Sequence, residues 1–159
     1  MVQKIDPIAR FMQEHSVTLL QLSALTRATR SLVERGFSSD AFARTVSALA
    51  FLQDEVGHHN AREEAALFPV LERYVEGPTA VMRQEHRILK RELRRLKRAV
   101  ESVSQKRTSK RAIKELGGQA QVVVQQFVNH IHKENSILFP LVQKFLTQDA
   151  LREIARRMI

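Results

Sequence analysis

Two His-x3-Glu pairs are the residues of this chain best suited to chemistry. His59 is followed four residues later by Glu63, and His130 is followed in the same way by Glu134. A His and a Glu at this spacing on a helix share one face and lie about 6 Å apart along the axis. The carboxylate can therefore reach a metal beside the one that the imidazole holds. One such pair is weak evidence for a metal site, and a second pair makes it much stronger.

The two pairs belong to an internal repeat with an offset of 71 residues. A Leu-Phe-Pro tripeptide follows each of the two glutamates at the same distance. The shift also aligns two Glu-His pairs, Glu14-His15 and Glu85-His86. A repeat that keeps its histidines and carboxylates while the residues between them differ indicates two copies of one metal-binding half. We expect pseudo-repeats over about residues 7–76 and 78–147.

The candidate ligands are four histidines and two glutamates: His15, His59, Glu63, His86, His130 and Glu134. If each carboxylate bridges two metals and one hydroxide completes the set, each metal receives two nitrogens and three oxygens and keeps one position open. Such ligands favour iron, with manganese or zinc as alternatives. We predict a site for two Fe ions that binds a small diatomic molecule or peroxide. Without a metal, these six side chains would be buried polar groups that lack partners, which would destabilise the fold by about 1–3 kcal/mol each.

Three further polar residues lie near the ligand pattern on the same helices. Glu55 is one turn before His59, where it could accept an imidazole N–H from behind the ligands or pair with a cation at the rim. The sequence leaves both roles open. His58 and His132 are rotated away from the ligand-bearing faces, and we expect both to be exposed.

The apolar residues recur at helical spacing, and Gly and Pro number only five and four. Turn signals at Gly36, Gly77-Pro78 and Thr108-Ser109 divide the chain into four long helices, and Thr147 opens a short fifth one. The predicted fold is all-α, an antiparallel up-and-down four-helix bundle with a short C-terminal fifth helix. His15 and His59 are symmetric about residue 37, and His86 and His130 about residue 108, so each antiparallel pair brings its histidines level.

Two prolines have predicted local roles. Pro69 lacks an N–H and should bend the second helix. Pro78 should occupy the first position of the third helix, where a missing N–H costs nothing.

The composition limits the class of protein. A chain of 159 residues is expected to form a single domain, here residues 1–159. Cysteine is absent, which excludes disulfides, thiolate zinc sites and iron–sulfur clusters held by this chain. The sequence has neither a transmembrane-length apolar run nor a signal-peptide pattern at Met1–Pro7, so we expect a cytoplasmic protein.

The net charge of +9 comes from one region. Residues 83–114 hold 13 Lys and Arg against three Glu, whereas the rest of the chain is close to neutral. Such a patch could bind nucleic acid or an acidic protein. Because no aromatic residues are interleaved with these cations, a solvated helix face is the favoured interpretation.

At the ligand residues the chain resembles the hemerythrin-like family, the HHE cation-binding domains. Their pattern is His, His-x3-Glu, His, His-x3-Glu, with Leu-Phe-Pro after each pair. The resemblance covers about residues 6–145 and implies that the six candidate ligands hold a non-haem di-iron centre inside a four-helix bundle.

The resemblance also has two departures. Oxygen-carrying hemerythrins have a second histidine four residues after the one on the third helix, and here that position is Lys90. The resemblance therefore implies oxidant turnover rather than reversible oxygen carriage. The branch that handles nitric oxide and repairs iron centres has a more similar ligand pattern, but it carries an N-terminal cysteine and this chain has none.

We therefore predict a non-haem di-iron protein that binds or reduces dioxygen, peroxide or nitric oxide, in stress response or in iron or oxygen sensing. Whether it is a peroxide- or nitric-oxide-reducing enzyme is left open, as are the reductant and the oligomeric state. The alternative is a structural or nucleic-acid-associated helical bundle in which the metal is only a staple. A ferritin-like oxidase is less favoured because its site uses Glu-x-x-His.

Overall fold

The computed structural model describes residues 6–159, and every regular element in that range is helical. Met1 to Ile5, on which part of the signal-peptide prediction rests, lie outside the described residues. The elements are α1 (Pro7–Arg35), α2 (Ser39–Arg62), a first π-helical segment (Glu63–Leu67), α3 (Phe68–Leu71), α4 (Thr79–Gln105), α5 (Lys110–Lys133), a second π-helical segment (Glu134–Leu138), α6 (Phe139–Phe145) and α7 (Gln148–Arg157).

Four long helical stretches result, because each π-helical segment joins the helices on either side of it. The α1 helix packs against α2 and α5, and α4 packs against the same two helices, which closes a four-membered ring. The short α7 packs against α1 and the first π-helical segment. The predicted all-α bundle with a short fifth helix is confirmed. No helix within residues 6–159 is both long and apolar enough to cross a membrane.

The helix ends follow the turn signals of the sequence. Three hydroxyl side chains cap helices: Ser38 caps α2, Ser109 caps α5 and Thr147 caps α7. Gly36 ends α1 with a φ of 83°, a left-handed conformation that other residues adopt only with strain. The prediction for Pro78 was wrong by one position. The α4 helix begins at Thr79 because the Pro78 carbonyl accepts the first helical hydrogen bond, from Met82 N, as a capping residue does.

Gly117, in the middle of α5, has a packing reason. A Cβ atom at this position would lie 2.7 Å from Val33 Cγ2 on α1, which is closer than two carbon atoms pack. The missing side chain therefore lets α1 and α5 approach each other. Its neighbour Gly118 faces open space, and nothing in the structure explains it.

The hydrophobic core is divided in two along the bundle. One cluster, with Leu25, Leu96 and Phe127 among its members, fills the end that holds the α1–α2 and α4–α5 turns. The other, with Phe11 and Phe68, fills the opposite end, where Ile154 of α7 closes it. A layer of buried histidines and glutamates lies between the two clusters.

Candidate metal centre

Each π-helical segment begins at a candidate ligand carboxylate. Glu63 and Glu134 are the first residues of the two segments, and the amide of the phenylalanine five residues later donates to each glutamate carbonyl. A proline follows each phenylalanine and cannot donate a backbone hydrogen bond, which helps to restrict the wider turn to these few residues. The sequence analysis predicted a bend at Pro69. The structure has a π turn just before Pro69, and such turns are frequent at functional sites and can themselves bend a helix. The bend itself stays a prediction.

The six predicted ligands converge in the layer between the two core clusters. All six are buried, with exposures between 0% and 6%. Their ligand atoms form two groups, in each of which the atoms lie within 4.8 Å of one another. His15 and His59 belong to the first group and His86 and His130 to the second, while both carboxylates belong to both groups. Each carboxylate is thus placed where it could bridge two ions.

The distances within each group suit a shared ion. The Nε2 atoms of His15 and His59 are 3.1 Å apart, and those of His86 and His130 are 3.2 Å apart. Two nitrogens bound to one metal at about 2.1 Å and at a right angle would be separated by about 3 Å. The Glu63 carboxylate spans the groups, with Oε1 2.7 Å from His59 Nε2 and Oε2 3.2 Å from His86 Nε2.

The two carboxylates are the clearest sign that the site holds cations. All four oxygens of Glu63 and Glu134 are fully buried, and none has a partner with hydrogen-bond geometry, although imidazole nitrogens lie close by. A buried carboxylate without compensation is costly, and such groups are normally paired or coordinate metals. The residues present therefore fit a pair of metal ions.

The pKa shifts at the site also indicate that it binds positive charge. Burial disfavours the imidazolium form of His59, but the Glu63 carboxylate and a hydrogen bond to Glu14 outweigh burial and raise its pKa to about 10. The pKa of His130 is also raised, with burial opposing the shift and Glu134 driving it. Burial opposes ionisation of Glu134, but its contacts with His130 and His15 hold its pKa well below the usual range. The site attracts a cation, either a proton or a metal.

Comparison with known families settles the class of protein. The family model for the hemerythrin HHE cation-binding domain matches residues 6–142. The chain belongs to this hemerythrin family. No curated protein matches it significantly.

The hemerythrin-family site is held from behind by a second ring of hydrogen bonds. Each of the four histidines donates its Nδ1–H outward to a side-chain oxygen: His15 to Asn135, His59 to Glu14, His86 to Glu64 and His130 to Glu85. This arrangement fixes the orientation of each ring, because a donating Nδ1–H leaves the inward Nε2 as the atom that binds either a proton or a metal.

Two of these acceptors are themselves anchored by cations. Arg62 donates to both oxygens of Glu14, and Lys133 Nζ lies 2.6 Å from Glu85 Oε1. Burial alone would raise the pKa of Glu14, but the bonds with His59 and Arg62 lower it to about 2. Glu14 is therefore ionised throughout the physiological range.

The second ring was only partly visible in the sequence. Glu14 and Glu85 lie next to ligand histidines and recur with the 71-residue offset, a signal that could have identified them. Glu64 and Asn135 also occupy equivalent positions, directly after the ligand glutamates. Glu55, predicted as a candidate for this ring, is exposed on α2, and the described residues give it no hydrogen bond to a histidine. His58 and His132 are exposed as predicted.

Two of these outer hydrogen bonds join one repeat to the other, and their acceptor groups differ in type. Glu64 of the first half bonds His86 of the second, and Asn135 of the second half bonds His15 of the first, both at 2.8 Å. A carboxylate thus supports one histidine where an amide supports its counterpart. The two proposed metal positions are therefore chemically different.

The Leu-Phe-Pro tripeptides provide the walls of the site. Phe68 stacks on the His86 ring with centroids 5.8 Å apart, and Phe139 stacks on the His15 ring at 5.4 Å. Both phenylalanines are almost completely buried. Each repeat thus packs its aromatic ring on a histidine of the other repeat and shields that side of the site from water.

A cleft of about 460 Å³ between α2 and α4 reaches His86, one member of the second histidine pair. His86 and its partner Glu64 line it on one side, and Val56, Leu89 and Phe127 are among its apolar lining residues. Lys90, which stands at the position where oxygen carriers have a further histidine, also lines this cleft and is exposed.

Proposed function

We propose that this chain is a non-haem di-iron protein that binds and reduces a small oxidant such as dioxygen, peroxide or nitric oxide. The observation that supports this most strongly is the pair of buried carboxylates without hydrogen bonds, each shared by two histidine pairs. Four neutral nitrogens and two anionic carboxylates suit two ferrous or ferric ions, and the donor set contains no soft sulfur ligand. We further propose that His15, His59, Glu63, His86, His130 and Glu134 are the ligands.

A bound di-iron pair would supply electrons to the oxidant. Reduction of hydrogen peroxide to two water molecules takes two electrons and two protons, and the bound pair would supply the two electrons. The side chains of the chain do the rest. Glu14, Glu64, Glu85 and Asn135 orient the imidazoles, and Phe68 and Phe139 cover two of the rings.

We propose that the oxidant enters through the cleft between α2 and α4. This cleft touches His86, whereas the residues that line it include neither His15 nor His59. The oxidant would therefore meet the ion held by His86 and His130. Since position 90 offers lysine in place of a neutral imidazole, the chain would leave one position of that ion open for the oxidant.

The experiment is a measurement of metal content followed by rapid mixing. Protein purified after growth with iron should contain close to two irons per chain, and the oxidised form should absorb in the near ultraviolet. The reduced form mixed with peroxide in a stopped-flow spectrometer should become oxidised while peroxide is consumed. A fully folded protein that takes up no iron would refute the proposal. A stable oxygen adduct that bleaches when oxygen is removed would replace the reducing function by oxygen carriage.

The structural or nucleic-acid-associated alternative is supported less well. Part of the basic face of α4 is neutralised within the chain, since Arg91 and Arg95 both pair with Glu92 and Arg83 pairs with Glu72. The cytoplasmic location, the single domain and its two pseudo-repeats stay predictions.

A further inference from the structure

The cleft between α2 and α4 carries a charge that the di-iron chemistry alone does not explain. Three cations line it: Arg87, Lys90 and Arg94. They follow one another at helical intervals of three and four residues, so they form a single stripe along α4. Glu64 is the only acidic residue among those that line the cleft, and its carboxylate is already engaged by His86.

The three cations are also not neutralised elsewhere. Among residues 6–159, none of them forms a salt bridge, and Arg87 bonds only the neutral amide of Gln84. Their neighbours behave differently, since Arg91 and Arg95 on the same helix both pair with Glu92. Three cations of α4 that lack a salt bridge thus line the cleft beside His86.

Uncompensated charges of one sign in a cleft with apolar walls raise the local potential and concentrate ions of the opposite sign. The apolar side chains of Val56, Leu89 and Phe127 provide such walls here. We propose that this cleft is a selective entrance for small inorganic anions, which Arg87, Lys90 and Arg94 draw towards the ion beside His86. The proposal rests on the proposed di-iron function and adds small inorganic anions, beside the neutral oxidants, to the ligands of the ion at His86.

The test compares an anionic probe with a neutral one. The anionic probe is azide, which is added to the oxidised iron-loaded protein. The neutral probe is nitric oxide, which is added to the reduced protein. The triple variant Arg87→Gln, Lys90→Gln, Arg94→Gln should bind azide about tenfold more slowly at low ionic strength, because attraction by the cleft is lost. Added salt should shrink this difference. Nitric oxide should bind at the same rate in both proteins.

The matched control removes the same charge from another part of the chain. Lys97, Arg98 and Lys106 are exposed cations that do not line the cleft. Their triple replacement by Gln should leave the azide rate near that of the unchanged protein. An equal loss in both triple variants would show an effect of net charge only and would overturn the proposal, as would an unchanged azide rate in the cleft variant.

The route itself is tested at Gly57, which lines the cleft and has open space where a Cβ would be. Gly57→Leu should slow azide and nitric oxide alike, because it narrows the path without removing charge. Normal rates for both probes would place the entrance elsewhere. Iron content is measured on the unsubstituted protein and on every variant, which separates the two hypotheses. An unsubstituted protein that holds no iron refutes the di-iron function. Iron-loaded proteins whose azide binding does not depend on the cleft charges refute only the entrance.

Discussion

Replacement of Glu64 by Gln should weaken one metal position and spare the other. The Glu64 carboxylate accepts the Nδ1–H of His86 at 2.8 Å, and Asn135 accepts that of His15 at the same distance. The substitution makes the two supports alike by giving His86 an amide acceptor. It should therefore remove the chemical difference between the two positions while leaving all six proposed ligands in place.

The size of the effect follows from the hydrogen bond that is changed. Bonds to a charged group contribute about 1.5–3 kcal/mol and neutral ones about 0.5–1.5 kcal/mol, so the exchange should cost about 1–1.5 kcal/mol in a shielded site. The Glu64 side chain is 42% exposed, and water weakens its charge. We therefore expect a cost of about 1 kcal/mol, which is roughly a fivefold loss of affinity at one position.

The assay is a titration of metal-free protein with ferrous iron against a competing chelator, which resolves the two binding steps. Asn135→Asp is the reciprocal variant and should strengthen the step that involves His15. Glu55→Gln is the control, because it removes an exposed carboxylate from the same helix. If Glu64→Gln weakened both steps equally, or neither, the idea that the outer partners distinguish the two positions would fail.

Three further predictions concern the site and the bundle. Glu63→Ala should lose more than one iron per chain by elemental analysis, since its oxygens face both histidine pairs; two tightly held irons would disprove bridging. Glu92→Gln should lower the free energy of unfolding at pH 7 by about 1–2 kcal/mol. The hydrogen bond from Gln119 lowers the pKa of Glu92 below 4.5, although burial opposes the shift. The stability difference between the variant and the unchanged protein, measured by urea titration, should therefore fade as pH falls from 4.5 through the folded-state pKa. A stability difference that stays constant with pH would contradict this role of Glu92. Gly117→Ala should destabilise by about 1 kcal/mol and Gly118→Ala should stabilise by a similar amount, whereas equal shifts would refute the close contact with Val33.

The fold and the inner site were largely predictable because their signals are periodic. Helical spacing and turn residues gave the four helices and the fifth, and the 71-residue repeat gave the six residues that converge. Symmetry about the turns correctly brought His15 level with His59 and His86 level with His130. Such arguments succeed where local sequence and overall architecture agree.

The parts that escaped prediction depend on contacts between distant residues. Glu64 bonds a histidine on another helix, so no spacing along its own helical stretch points to it. The nearby Glu55 has the right spacing and no such bond. Gly117 makes sense only beside Val33 of α1. The π-helical segments arise from one extra residue in a turn, which helical periodicity is too coarse to detect.

Because a polar layer separates the two hydrophobic clusters, the proposed metal would determine how cooperatively the protein unfolds. Apolar packing does not run continuously along the bundle, so the end closed by α7 and the end that holds the two turns are joined chiefly through the helices and the site itself. An ion bound only by the folded protein stabilises it by mass action. Iron would then couple the two ends into one unfolding unit. In an iron-starved cell the two ends of a molecule would open independently, and proteases would reach the opened segments.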